Sequence, residues 1–185
     1  MSSNSAKAVV LQVVGGQLVG ATGVNVGGTL YDVTFGNGTC DALFSGCDNP
    51  AADCAFTAQA DAVLAAQALL DQVFLDGRLG NFDTQPILTN GCDDAFQCLA
   101  HIPWNVESNL AISEYALNHF VEAADLANPT ATGPNKTLPL TSEKTRAIFT
   151  PAVIPIPPAL LLFLSGLVAF FGVARVGRRG VKAEA

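Results

Sequence analysis

The feature that most constrains this chain is a gap in its charge. No Asp, Glu, Lys or Arg stands between Arg146 and Arg175. Inside the gap, residues 158–176 form an apolar run compatible with a helix. At roughly 1.5 Å per residue the run reaches about 28 Å, close to the ~30 Å of a hydrocarbon core. A soluble helix needs a polar stripe to face water, and this run has none. The expectation is a single transmembrane helix over 158–176. Arg175, Arg178, Arg179 and Lys182 follow it directly, whereas only Lys144 and Arg146 lie upstream within reach. That bias places the C-terminus in the cytoplasm and residues 1–150 outside.

Prolines precede the span. Pro151, Pro155, Pro157 and Pro158 lack N–H donors and have a fixed φ, and each residue before a proline is pushed toward extended geometry. Residues 150–157 are therefore expected to form an extended strip just outside the membrane. Proteases and transpeptidases bind extended backbone, so this strip suits a processing enzyme.

Proline motif, apolar helix and arginine cluster, in that order, resemble the C-terminal sorting signal of PEP-CTERM proteins in its VPLPA variant. The motif stands as Ile154, Pro155, Ile156, Pro157, Pro158 and Ala159, and residues 160–175 resemble the helix of such tails. Ile154 replaces the usual Val, Ile156 the usual Leu and Pro158 the usual Ala. The resemblance covers about 30 residues. It implies an exported protein of a Gram-negative bacterium, held briefly in the inner membrane. An exosortase would cut it near the motif, with Arg175, Arg178 and Arg179 as the membrane stop. The expected partners are that exosortase, the membrane and exopolysaccharide, and the destination is the cell surface or extracellular matrix. The alternative is a permanently anchored single-pass inner-membrane protein whose domain binds a periplasmic partner. Residues 28–48 and 67–74 more weakly resemble a domain that recurs in proteins with such tails. That likeness carries no catalytic residues.

The N-terminus fits export less directly. Lys7 precedes only a short apolar stretch ending at Gly15 and Gly16, too broken for a signal peptide. Ala6-Lys7-Ala8 has the form of a signal-peptidase site, which suggests that this sequence starts at the mature end.

Residues 1–150 carry 5 Lys/Arg against 15 Asp/Glu, and residues 151–185 carry 4 against 1. So acidic a domain lacks the clustered cations that phosphate binding needs, which argues against nucleic acid. The acidity reads as a solubility device.

The expected fold is α+β, antiparallel strands packed on one main helix. Residues 9–35 read as a meander of short strands turning at Gly15-Gly16 and Gly27-Gly28, with Tyr31, Val33 and Phe35 on one buried face. Residues 57–75 switch to helical period. Thr57 is the expected N-cap and Gly77 the stop, and Val63, Ala66, Leu70, Val73 and Phe74 share a face. Residues 98–104 read as a strand broken at Pro103. A second strand is expected near Leu110–Ile112, with the segment beyond it open between strand and helix. Residues 128–136 read as turns.

Five cysteines form no C-x-x-C pair, so zinc spacing is poor. An exported domain meets an oxidising compartment. Cys40–Cys47 and Cys92–Cys98 disulfides are expected, each closing a short loop. Cys54 is left over: free, exchanging into the first pair, or bridging to another chain. Asp48, Asp53, Asp76, Asp83, Asp93 and Asp94 lie in loops, but none follows a calcium-loop pattern. His101 sits in an apolar strand context and His119 beside Phe120, neither with a sequence partner for catalysis. No hydrolase, zinc-protease or phosphate-loop motif occurs. No cofactor, metal site or catalytic residue is expected. The sequons at Asn37 and Asn135 read as chance matches in a bacterium.

Overall fold

Glycine pairs set the first three strands. Both members of Gly15-Gly16 and of Gly27-Gly28 adopt positive φ, the sign that tight type I′ hairpins require. The computed structural model describes residues 8–121, 124–131 and 134–153, with the backbone alone over 128–131. The described residues form, in chain order, β1 (Val10–Val14), β2 (Gln17–Val26), β3 (Thr29–Gly36), α1 (Cys40–Leu43), α2 (Pro50–Asp53) and α3 (Gln59–Gln72). There follow a small hairpin of β4 (Asp76–Gly77) and β5 (Gly80–Asn81), a 3₁₀ turn (Pro86–Leu88), β6 (Gln97–Glu107), β7 (Leu110–His119), β8 (Leu126–Ala131) and β9 (Lys144–Pro151).

The seven long strands make one sheet in the order β1-β2-β3-β9-β6-β7-β8. It consists of two three-stranded meanders, with the last strand inserted between them. β9 runs antiparallel to β3 and parallel to β6. The α+β expectation holds at this level: mostly sheet, with α3 as its main helix. The sheet is mixed rather than wholly antiparallel, because β9 reaches its slot from the far side of the β6–β8 meander.

One face of the sheet packs on α3. The helix side is rich in alanine, with Ala62, Ala65, Ala66 and Leu69 all fully buried, and small side chains let the helix approach the strands closely. Val24, Val33, Phe35, Ala100, Ile102, Ala147 and Phe149 meet it from β2, β3, β6 and β9. Burying each large apolar side chain there contributes about 1.5–3 kcal/mol. Gln72 docks the helix end, its amide accepting from Asn25 N and donating to Asn25 O, both at 2.9 Å.

The helix differs from its expected bounds. It starts at Gln59 behind Ala58, which makes no side-chain cap, and Thr57 lies outside; it ends at Val73, before Gly77. Val63 is only half-buried, while Ala65 and Leu69 lie at the centre of the packed face.

Three strand readings also change. Pro103 does not break β6. The pairing of β9 with β6 covers only Leu99 to His101, so the N–H missing at Pro103 is not needed on that side, and a bulge absorbs the irregularity toward β7. β7 is a strand through His119, because pairing on both sides outweighs the helical preference of its Ala, Leu and Glu. Residues 128–131, expected in turns, belong to β8 and pair with β7.

At the C-terminal side, Thr150 and Pro151 are not part of a free strip. They end β9 opposite Asp32 and Tyr31, and the compact unit closes at Ala152. The motif Ile154 to Ala159, the expected span over 158–176, and Arg175, Arg178 and Arg179 lie outside the described residues. Among the described residues no helix is long and apolar enough to cross a membrane.

Candidate functional site

The other face of the central strands is covered by the α1 loop rather than by a helix. Thr39 caps α1, its hydroxyl accepting from Ala42 N at 3.1 Å. A disulfide joins Cys40 to Cys47 across the loop, and a second joins Cys92 to Cys98, the two pairs expected from the sequence. Cys40, Phe44, Cys47 and Ala111 form a small second core, against which Ile148 of β9 packs. Short loops of this size stabilise by about 2.5 kcal/mol each in the chain-entropy account. Cys54 is the free cysteine and is buried. Burial, then the charge of Asp53, pushes its thiol up to about 11, so it is a poor nucleophile at neutral pH.

Beside that second core lies a buried polar row. Arg146 is fully buried on β9, and its Nε donates to Gly38 O at 3.1 Å. Burial pushes its guanidinium down to about 10, against the opposing pull of Asp41. His101 lies opposite Arg146 in the register and 5.7 Å from the Tyr115 ring. Burial first, then the positive charges of Arg146 and Lys144, hold the His101 pKa down to about 3. It is a neutral structural histidine, and a ring that stays neutral down to such acidity makes a weak base. Lys136 ties the covering loop to residues 134–140, with its Nζ 3.8 Å from Asp41 and 3.4 Å from Cys47 O.

The loop acids serve their own turns. Asp53 Oδ2 accepts from Asp48 N and Asn49 N. Asp94 Oδ1 accepts from Phe96 N and Gln97 N. Asp76 accepts from Asp83 N, Thr84 N and the Thr84 hydroxyl. Slight burial works to raise the Asp76 pKa, but these hydrogen bonds prevail and lower it. Asp93 N donates to Ser142 O, so that residue is also tied into the fold through its backbone.

The open concave surface lies elsewhere. Gln67, Leu70, Asp71 and Phe74 of α3 and its end form one bank of a groove of about 310 Å³, and Asp125, Leu126 and Ala127 form the other. Asp83 closes its end. Gln67 donates to Asp71 at 2.8 Å, one helical turn on. Asp125 accepts from His119 N at 2.7 Å, which links the groove to the end of β7. There the His119 ring stands 4.7 Å from Phe120, and Phe120 meets Phe96 edge to face at 5.5 Å. Phe96 and Phe120 are 63% and 42% exposed. Aromatic rings this open to water are unusual unless something covers them. The groove's three aspartates do not converge: among the described residues no group of three His, Cys, Asp or Glu could hold a metal ion.

The described residues thus define a disulfide-bonded seven-stranded sheet with an acidic groove and an exposed aromatic cluster beside it. No family model, curated protein or solved structure matches the chain.

Of the groove residues, the sequence singled out Leu70 and Phe74 as positions on the packed helix face and Asp83 as a loop acid, and it did not point to Arg146 as a buried group. Asp71, Phe96 and the pair Phe120 and Asp125 come from separate stretches of sequence and share no motif. Their only signal was a hydrophobic pair, Phe120-Val121, at the end of a strand.

Proposed function

We propose that this chain is an exported bacterial protein of the cell surface or extracellular matrix, and that its 1–150 domain is a non-enzymatic structural or binding module. Residues 151–185 act as its sorting signal: a single membrane helix over 158–176 holds it in the inner membrane with the C-terminus in the cytoplasm. An exosortase cuts at the strip Ile154 to Ala159, and Arg175, Arg178 and Arg179 hold the cytoplasmic side until then. The observation that carries this reading is the ordered sequence of proline motif, uncharged span and arginine cluster. Two disulfides among the described residues support an oxidising destination. The acidic groove and its aromatic neighbours suit a ligand that offers hydroxyl or ammonium donors and flat apolar faces, such as exopolysaccharide.

Intact-mass spectrometry of the protein from its native host, without reductant, tests this. The expected product lacks the segment after the proline motif and is four hydrogens lighter than its fully reduced form. A full-length mass with both disulfides formed would replace processing by permanent anchoring. A full-length mass with every thiol reduced would overturn export.

A further inference from the structure

The sheet ends in two unlike edges. β8 contains Pro129, which has no N–H to offer, whereas β1 contains neither proline nor charge. We propose that β1 is the contact through which two copies of this chain pair, antiparallel and about a two-fold axis at Gln12, so that their sheets run on into one another.

Four observations carry this. First, charge permits it here. The chain bears no Asp, Glu, Lys or Arg between Lys7 and Asp32, although residues 1–150 hold 15 acids. Two copies of so acidic a domain repel one another across most surfaces, but an uncharged strand meets its own copy without like charges opposed.

Second, the strand is self-complementary. A two-fold axis at Gln12 sets Val10 against the partner's Val14 and Leu11 against the partner's Val13. Every cross-strand pair is then apolar on apolar, apart from glutamine on glutamine at the axis.

Third, the burial of β1 is that of an unfinished sheet. Val10 and Val14 are 56% and 67% exposed on the outer face, and Leu11 and Val13, on the core face, are only half-covered. The bulge between β1 and β2 leaves Val19 of β2 unpaired, so β1 itself keeps a regular alternation and can serve as a template.

Fourth, the area fits a reversible pair. A strand of this length falls short of the roughly 600–800 Å² per partner that stable interfaces bury. The groove of about 330 Å³ beside β1 adds the exposed Leu75 and Leu79, together with the opposite charges of Asp76 and Arg78. A contact this small is expected of a dimer that forms with concentration.

The test uses the full chain in detergent. Sedimentation over a concentration series is expected to show the mass rise from one copy to two, and Val14→Lys is expected to keep it at one copy with an unchanged circular dichroism spectrum. In a Cys54→Ala background, Gln12→Cys should form a covalent dimer on mild oxidation, because residues at the axis lie within disulfide reach. Gln67→Cys, on the exposed face of α3, should not. A single-copy mass at every concentration overturns the proposal. So does a dimer that survives Val14→Lys, which would place the contact in the tail or elsewhere, and so does equal cross-linking at positions 12 and 67.

Discussion

The two faces of the central strands are buried by opposite means. The α3 face is mostly apolar, alanine-rich on the helix and aromatic on the strands, with Phe35 stacked on Phe74 and Tyr31, Phe56 and Phe149 meeting at tilted or edge-on angles. Of its buried polar groups, Glu114 accepts from Gln59 at 3.0 Å and Asn118 donates to Phe82 O at 2.7 Å. The face under the α1 loop holds a buried arginine and a buried histidine, roofed by a loop that a disulfide closes. Apolar burial is non-directional, so the first face needs only the right volume and pattern. The second holds polar groups with few partners: among the described residues Arg146 is bonded through Nε alone and neither ring nitrogen of His101 has a hydrogen-bond partner, so burial there is costly. The α1 loop adds a small apolar core around Phe44 and a covalent closure, Cys40–Cys47, to hold its order.

Mutations separate the two faces by size of effect. Leu69→Ala, at the fully buried centre of α3, is expected to cost about 3–5 kcal/mol, since the packed neighbours relax only partly into the void. Urea unfolding followed by circular dichroism measures it. A loss below about 1 kcal/mol would mean that α3 is not the main stabiliser.

The second face should show itself through pH. His101 has a folded pKa of about 3 against an ordinary 6.5, so the unfolded chain binds the proton first. The stability that comes from keeping the ring neutral is complete above pH 6.5 and drains away as pH falls toward 3. At pH 4.5 the folded state is expected to be about 2–3 kcal/mol less stable than at pH 7 from this group alone. His101→Leu should flatten that limb in urea titrations across pH while leaving neutral stability nearly unchanged. An unaltered acid limb would remove His101 from the account.

Removing the roof's closure comes next. Cys40→Ala with Cys47→Ala is expected to cost about 2.5 kcal/mol. Hydrogen exchange should rise over 37–48 and spare α3. Uniform loss of protection would instead join the two faces into one cooperative unit.

The smallest effect belongs to a loop outside both. Asp76→Asn removes a carboxylate that gathers three donors at the β4–β5 hairpin and should cost about 1 kcal/mol or less, because the site is open to water. The lowered pKa of Asp76 means that its contribution is present above the ordinary carboxylate range and lost as pH falls through it. That window opens near the acid end of the one assigned to His101, so the two limbs are told apart by comparing the variants.

Sequence alone settled what depends on neighbours along the chain. The glycine pairs between β1, β2 and β3 announce hairpins because left-handed backbone is cheap only for residues such as glycine. Val33 and Phe35 face the core because strand side chains alternate. The helical period over 57–75 places α3, though not its ends, and the two disulfides join cysteines seven and six residues apart. The uncharged stretch after Arg146 and the proline motif within it are likewise features of the chain itself.

Only the tertiary structure decided where β9 goes. Residues 144–151 carry two charges and a terminal proline and look like the approach to a tail, yet they fill the middle of the sheet between β3 and β6. Pairing there satisfies the backbone of β3 and part of β6, a gain that no local pattern records. The same insertion buries Arg146, opposes it to His101, and makes β1 and β8 the edges. Strand order is a contest among distant partners for backbone hydrogen bonds, and its outcome sets which residues meet at the groove, under the α1 loop and at the open edge.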